Sequence, residues 1–333
     1  MSTTPLRSAM VPVSREMRAY FAPVIRGSET PAIFDPGASG MFPLNAPPAP
    51  WVDLGWVENF ARWYETPTDV VQSGTKAMPA GQFRGPLEAR VEFDFRQWGK
   101  LQMALACGSE HMNVLAPASG NVSPAPSGGA AASAVGVLPG STASELIIGS
   151  GVGSVFSVGC LVAVDLDYQQ QVGYVGSGIA AAYVNSAAAV KQDPDYVRRV
   201  TFNVGRVAEV TATSIVLAQP LLGGVPAAGA SVQVVMAFVD REGGSFFQEW
   251  SALFVAEEES GGRVCFYYPR LSASTARGAS GRCAREAVAE IARPVAALAL
   301  HASFLALPFV DTNDGQTVLC YRSYFPAVMA GMY

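Results

Sequence analysis

The chain is poor in the residues that carry chemistry. Only two histidines and five cysteines occur among its 333 residues, and 15% of the residues are charged. Soluble domains average about 25% charged residues. No H-E-x-x-H, C-x-x-C or EF-hand spacing is present, so no metal site can be read from ligand spacing. Cys107, Cys160, Cys265, Cys283 and Cys320 are odd in number and isolated, which argues against a disulfide framework and for folding in a reducing compartment. The net charge of −5 supplies no basic footprint for gripping nucleic acid. The opening MSTTPLRSAMVPVSREMRAYF has no continuous apolar run, so no signal peptide is expected. Pro294–Val310 is the one stretch to weigh as a membrane span. At 17 residues it falls short of the roughly 20 a spanning helix needs, and a buried helix is expected there instead.

The remaining chemical candidates are thin. Cys107, Glu110 and His111 lie close in sequence, and a Cys–His pair offers a nucleophile and a base. No orienting group or oxyanion motif accompanies them, and a cysteine ending a helix before a histidine in a loop also accounts for them. His301 lies in an apolar stretch, as a core or interface residue does. Gly149, Gly151 and Gly153 lack the spacing of a phosphate-binding loop and read as a flexible entry to a β module. Asp165 and Asp167 share a strand face, as cation ligands or as solvent-facing acids. Glu257, Glu258 and Glu259 form the densest acidic cluster. They read as a solubilising hairpin tip that blocks edge-to-edge pairing, or as an acidic surface that repels a polyanion. No catalytic, cofactor-binding or metal residue is nominated, and an enzyme is not expected.

What the chain does have is apolar surface. Half of it is hydrophobic and its mean hydropathy is +0.24. Monomers rarely expose large apolar patches, so some of this surface is expected to lie against another subunit. The organising stretch is Ser245–Arg270. Phe246–Val255 and Val264–Tyr268 read as two aromatic, β-branched strands joined by the polar loop Ala256–Gly262 and ended by Pro269. The hairpin is long and greasy, and cover from a second copy is expected. Phe246, Phe247, Trp250, Phe266 and Tyr267 are its candidate oligomer contacts, together with Trp51, Trp56 and Phe60 from WVDLGWVENFARWY. That aromatic segment fits a helix face or a strand face equally.

Along the chain, residues 1–50 read as an extended proline-rich arm that lies over neighbours. Its deletion to residue 48 is expected to leave a folded subunit that polymerises poorly. Val70–Gly85 reads as a loop. Ala89–Phe95 alternates as a half-solvated antiparallel strand, and Gln97–Cys107 comes next as a helix with Trp98, Leu101 and Leu105 on one face and Gly108 as its C-cap. Residues 116–150 form an Ala/Pro/Ser/Gly-rich linker. Residues 151–240 form an inserted SH3-like or OB-like β module. Its strands are Val155–Asp165, Arg199–Val210 kinked at Gly205, Ile215–Leu217 and Ser231–Val239. A helical seam from Ala284 to Leu305, the turn Asp311–Gly315 and a last strand Gln316–Tyr324 complete the chain. Arg90–Phe95 and Arg263–Tyr268 echo one another as Arg-Val-x-Phe strands. The fold class is mainly β (α+β). An antiparallel sandwich or barrel core from 51–115 and 241–333 carries flanking helices, the arm and the insert.

The proline-rich arm before PPAPWVDLGWVENF, then EARVEFDFRQWGKLQMALACG, then the closing aromatic strands and helix, resemble the major tail protein of tailed bacteriophages, the tail-tube subunit. The likeness is one of element order over 51–115 and 241–333, with the insert outside it. The resemblance implies a structural virion protein of the tail, assembled in the host cytoplasm into stacked, usually hexameric, rings. It implies a conduit through which DNA leaves the particle without sequence-specific binding. The implied partners are further copies of the chain, a tape-measure protein, and tail terminator or distal tail proteins. No cofactor is implied. The alternatives are another virion shell component, such as a capsid or decoration protein, a Cys107/His111 hydrolase, and a carbohydrate-binding sandwich.

Overall fold

The computed structural model describes residues 17–24, 29–39, 43–48, 50–66, 68–73, 78–85, 87–97, 99–108, 110–116, 132–151, 153–165, 172–176, 180–184, 203–241, 249–257, 262–274 and 300–325. The chain is mainly β. Strand β1 (Met17–Pro23), the one-turn helix α1 (Pro36–Ser39) and β2 (Val52–Glu65) open it. Then come the hairpin β3 (Thr68–Ser73) and β4 (Met78–Arg84), β5 (Glu88–Phe95), helix α2 (Lys100–Cys107) and β6 (Glu110–Leu115). The middle of the chain holds β7 (Val135–Gly136), β8 (Glu145–Ile147), β9 (Leu161–Asp165), β10 (Val172–Gly176), β11 (Ala180–Val184), β12 (Val204–Val210), β13 (Ser214–Leu217) and β14 (Ser231–Arg241). Last are β15 (Glu249–Glu257), β16 (Arg263–Ala273), β17 (Leu300–Ala306), the short pair β18 (Phe309–Val310) and β19 (Thr317–Val318), and β20 (Tyr321–Phe325).

One sheet runs β15-β1-β2-β5-β17-β16 and closes on itself through β15–β16, making a six-stranded antiparallel barrel. β20 continues it along β16, in line with β17: β16 pairs with β20 over Arg263–Tyr267 and with β17 over Leu271–Ala273. Closure removes the unpaired edges that an open sheet would present. The interior is aromatic. Phe21, Phe93, Phe254 and Phe304 are fully buried, with Phe93 stacked on Phe304 at 5.7 Å and Phe21 edge-on to Phe254 at 5.8 Å. Leu101 and Leu105 of α2 join this cluster, and Gly108 ends the helix in the left-handed region, φ 59, with its N–H donating to Ala104 O. Trp98 lies outside the described residues.

The barrel corrects the reading of the N-terminal arm. β1 is a central strand between β15 and β2, buried on both faces. Ala19 and Phe21 point into the barrel, while Tyr20 and Ala22 join Phe34, Trp51, Leu253 and Tyr267 on its outside. Proline density misled here because β1 lies between two prolines: Pro12 precedes it and Pro23 only ends it. Residues 30–39 and 43–48 then lie across the chain's own barrel. Tyr267 Oη donates to Ala32 O at 2.8 Å, Tyr20 Oη donates to Leu44 O at 2.9 Å, and Arg18 donates to Asn45 Oδ1 at 2.7 Å. The strap covers its own molecule.

Strand geometry brings other corrections. The aromatic segment after residue 50 is a strand, β2, bent by two bulges, one at Gly55 (φ 84) and one at Asn59 (φ 54). An added Cβ at Gly55 would meet Gln97 Oε1 at 2.9 Å. The supposed loop over Val70–Gly85 contains the β3–β4 hairpin. Pro269 does not end β16. The register steps so that Ser251 alone faces Pro269 and Arg270, and a bulge tolerates a residue without an N–H. Leu300–Ala306, read as the tail of a helical seam, is the strand β17, with Leu300, Ala302, Phe304 and Ala306 alternating into the core. Residues 275–299, which hold most of that seam, lie outside the described residues. β5 alternates as expected, with Val91, Phe93 and Phe95 inside. The echoed strands are β5 and β16, and β17 lies between them.

The second sheet runs β6-β14-β9-β12-β13-β8, with β7 on β14. No described pairing joins its two ends. It takes in β6 from before the supposed linker. Residues 132–150 belong to it too, since Leu146 and Ile148 are buried in its core with Phe156, Val162 and Val232. β9 begins only at Leu161, after a turn in which Gly159 takes φ 89. β12 runs unbroken through Gly205 and its register with β13 steps at Val207–Glu209, while residues 199–202 of the expected strand lie outside the described residues. Thr211 Oγ1 accepts from the N–H groups of Thr213 and Ser214, which fixes the expected turn into β13.

Because β1 closes the barrel, removing residues 1–48 is expected to abolish the cooperative unfolding transition and not to leave a folded subunit. Phe21→Ala is expected to lower the unfolding free energy by about 3–5 kcal/mol, read by urea denaturation.

Candidate functional site

Three polar clusters interrupt the apolar barrel. In the first, Arg62 Nε on β2 donates to Tyr268 Oη, and its guanidinium lies 4.7 Å from the ring centroid of Phe266 and 5.6 Å from that of Tyr268. A guanidinium over aromatic faces is held by the ring quadrupole, so the charge is paired without a carboxylate. Cys320 Sγ donates to Tyr321 O at 3.4 Å. Burial pushes both the Cys320 thiol and the Tyr268 hydroxyl up from their ordinary values, which keeps them protonated.

The second cluster lies across the β5–β17 seam, facing away from the aromatic interior. His301 Nδ1 is 2.8 Å from Asp94 Oδ1 and His301 Nε2 is 3.8 Å from Glu92 Oε2. Asn59 Nδ2 donates to Asp94 Oδ2 at 2.6 Å, and Ser303 Oγ donates to Glu92 Oε1 at 3.4 Å. Asp94 thus ties the Asn59 bulge of β2 to β17. The side chains that the sequence assigned to a solvated strand face are used between strands. In the third cluster, Arg270 bridges Glu249 at 2.8 Å and Glu29 at 3.0 Å, which pins the start of the strap to the hairpin. Among the described residues no group of three or more His, Cys, Asp or Glu could hold a metal ion.

The candidate contacts divide by burial. Trp51, Trp250 and Tyr267 are 7%, 1% and 3% exposed, so the chain's own core has already consumed them. This corrects the expectation that the hairpin needs a sister copy to cover it. β15 packs Trp250, Ala252 and Phe254 into the barrel and Leu253 and Val255 under the strap. Trp56, Phe60 and Phe266 are half-buried. Trp56 lies under Arg18, and Phe60 stands 4.8 Å from Phe254 and 5.6 Å from Phe266. Glu257 pairs with Arg263 at 2.8 Å, as a hairpin end does. Phe246, Phe247, Glu258, Glu259, Asp167 and Cys283, and the side chains of Glu110, His111 and Asp165, lie outside the described residues. Cys107, Cys160, Cys265 and Cys320 form no disulfide among the described residues.

The residues that sequence reading missed are Trp63 and Tyr64. They lie in the aromatic segment but were not among its candidate contacts, and they are 51% and 75% exposed. β2 is 14 residues long, more than twice a usual strand, so its far end runs past the barrel. Length was the available signal. Under the strap, Phe34, Leu44, Leu253 and Cys265 line a small, open pocket whose charged residue, Arg263, is taken by Glu257.

Burial raises the Cys265 thiol from an ordinary 9.0 to about 12 and pushes Tyr20, Tyr267 and Tyr268 above their ordinary 10.0. The folded state therefore holds these protons where the unfolded chain releases them. Stability is expected to fall as pH rises from about 9 towards 12, and Cys265 is expected to resist thiol reagents at pH 8 until the protein unfolds. Urea midpoints across that range check the first outcome, and mass spectrometry after alkylation checks the second.

Compared with known proteins, the chain matches no protein-family model and no curated sequence.

Proposed function

We propose that the chain is a structural subunit that assembles with copies of itself, forming stacked rings of a phage tail tube that conducts DNA. One observation carries the reading. A closed barrel that satisfies its own core still holds out an aromatic ribbon, with Trp63 51% and Tyr64 75% exposed. Exposed aromatics on a chain with only 15% charged residues favour a partner surface over a solvated one. The strand-then-helix order of β5 and α2 is the part of the resemblance to tail-tube subunits that supports the reading. The role is mechanical, and DNA passes without sequence-specific contact, as the net charge of −5 favours. Tape-measure, terminator and distal tail proteins are the further partners, and the tail of the virion, assembled in the host cytoplasm, is the location.

The second reading is a capsid or decoration protein. It draws on the second sheet, which has seven strands, as many as the first. Negative-stain images of the purified protein separate the two. Rings or tubes are expected, shells would favour the second reading, and single particles at every concentration would overturn both.

A further inference from the structure

The outer end of the β2–β5 ribbon is uncovered on both faces. Consecutive residues of a strand point to opposite sides, and Trp63 and Tyr64 are both exposed, as is Leu87 beside them at 51%. In register here, Glu65 of β2 lies directly opposite Glu88 of β5, and both are exposed. Like charges directly opposite one another destabilise a strand pair. No cation among the described residues pairs with either glutamate. The ribbon therefore offers apolar area beside a facing pair of acids, with Arg90 of β5 opposite Trp63 on the same face.

A complementary surface exists on the same chain. β20 is hydrogen-bonded only to β16, so its other side is an open strand edge among the described residues. Arg322 and Tyr324 stand two residues apart on one face of β20, both exposed, with Tyr324 at 48%. Arg322 has no ion-pair partner among the described residues.

We infer that the ribbon end at Trp63–Glu65 and Leu87–Glu88 docks onto the β20 edge of a second copy, setting the two glutamates against that copy's Arg322. The occupant is a second copy because the missing charge and the aromatic contact are both supplied by this chain. The two surfaces differ, so the contact is heterologous and repeats from copy to copy, closing a ring or growing a filament. The inference rests on the self-association part of the proposed function and not on the tube.

Sedimentation velocity of the full chain over a concentration series tests it, with near-UV circular dichroism as the folding control. The wild type is expected to associate, and less so at high salt. Glu65→Arg with Glu88→Arg, and separately Arg322→Glu, are each expected to weaken association by on the order of tenfold or more. The triple reversal is expected to restore it, and a mixture of the two weakened variants to form mixed complexes. A monomeric wild type, charge variants that associate as the wild type does, or a triple variant that stays dissociated would each overturn the contact. If the double variant loses its near-UV signal, Arg322→Glu and Tyr64→Ser carry the same test from opposite sides. Charge-dependent association without rings or tubes keeps this contact and overturns the tail-tube reading. Tubes indifferent to these charges do the reverse.

Discussion

The structure depends on one long-range pairing. β1 enters between β15 and β2, so residues near position 20 are zipped to residues near 253, Tyr20 facing Leu253 and Phe21 facing Ala252. Without β1 the barrel has a gap one strand wide and two free edges. With it, two hydrophobic clusters become continuous through one strand: Phe21 supports the interior and Tyr20 supports the outer layer beneath the strap. Closing such a loop costs chain entropy before any contact forms, and the burial of both faces of β1 offsets that cost.

This closure changes what the apolar sequence is for. The long hairpin β15–β16 looked too greasy for one chain. In the barrel it is covered inside by Phe21, Phe93 and Phe304 and outside by Ala32, Phe34 and Leu44. The strap that seemed meant for a neighbour is bonded to its own molecule through Tyr20, Tyr267 and Ser251, whose Oγ accepts from Ala32 N at 2.9 Å. The surface proposed for assembly is the narrower β2–β5 ribbon.

Much of the barrel was legible in the sequence. Alternation placed β5 with Val91, Phe93 and Phe95 inward, and aromatic density placed the β15–β16 hairpin. Gly108 marked the end of α2. What failed did so for physical reasons. Proline counts say nothing of the stretch between prolines, so β1 was hidden. LHASFLA satisfies a period of two as well as a helical seam, and only its partner β5 decides between them. The bulges at Asn59 and Ser251 depend on pairing partners far away in sequence. For the candidate surface, aromatic content nominated Trp51, Trp56 and Phe60, whereas the exposed aromatics of β2 are Trp63 and Tyr64. Trp51 is buried and Tyr64 exposed because the barrel ends part-way along that strand.

The barrel thus closes within a single chain, and the end of the β2–β5 ribbon stands exposed. Hydrogen exchange of dilute and concentrated protein tests this most directly. The amides of Ala19–Ala22 are predicted to exchange at the slowest, globally limited rate at every concentration, while those of Trp63–Glu65 slow only as copies assemble. Fast exchange across Ala19–Ala22 in dilute protein, becoming slow only on concentration, would mean that the N-terminal strand finds its place on another copy, and would contradict a self-contained barrel.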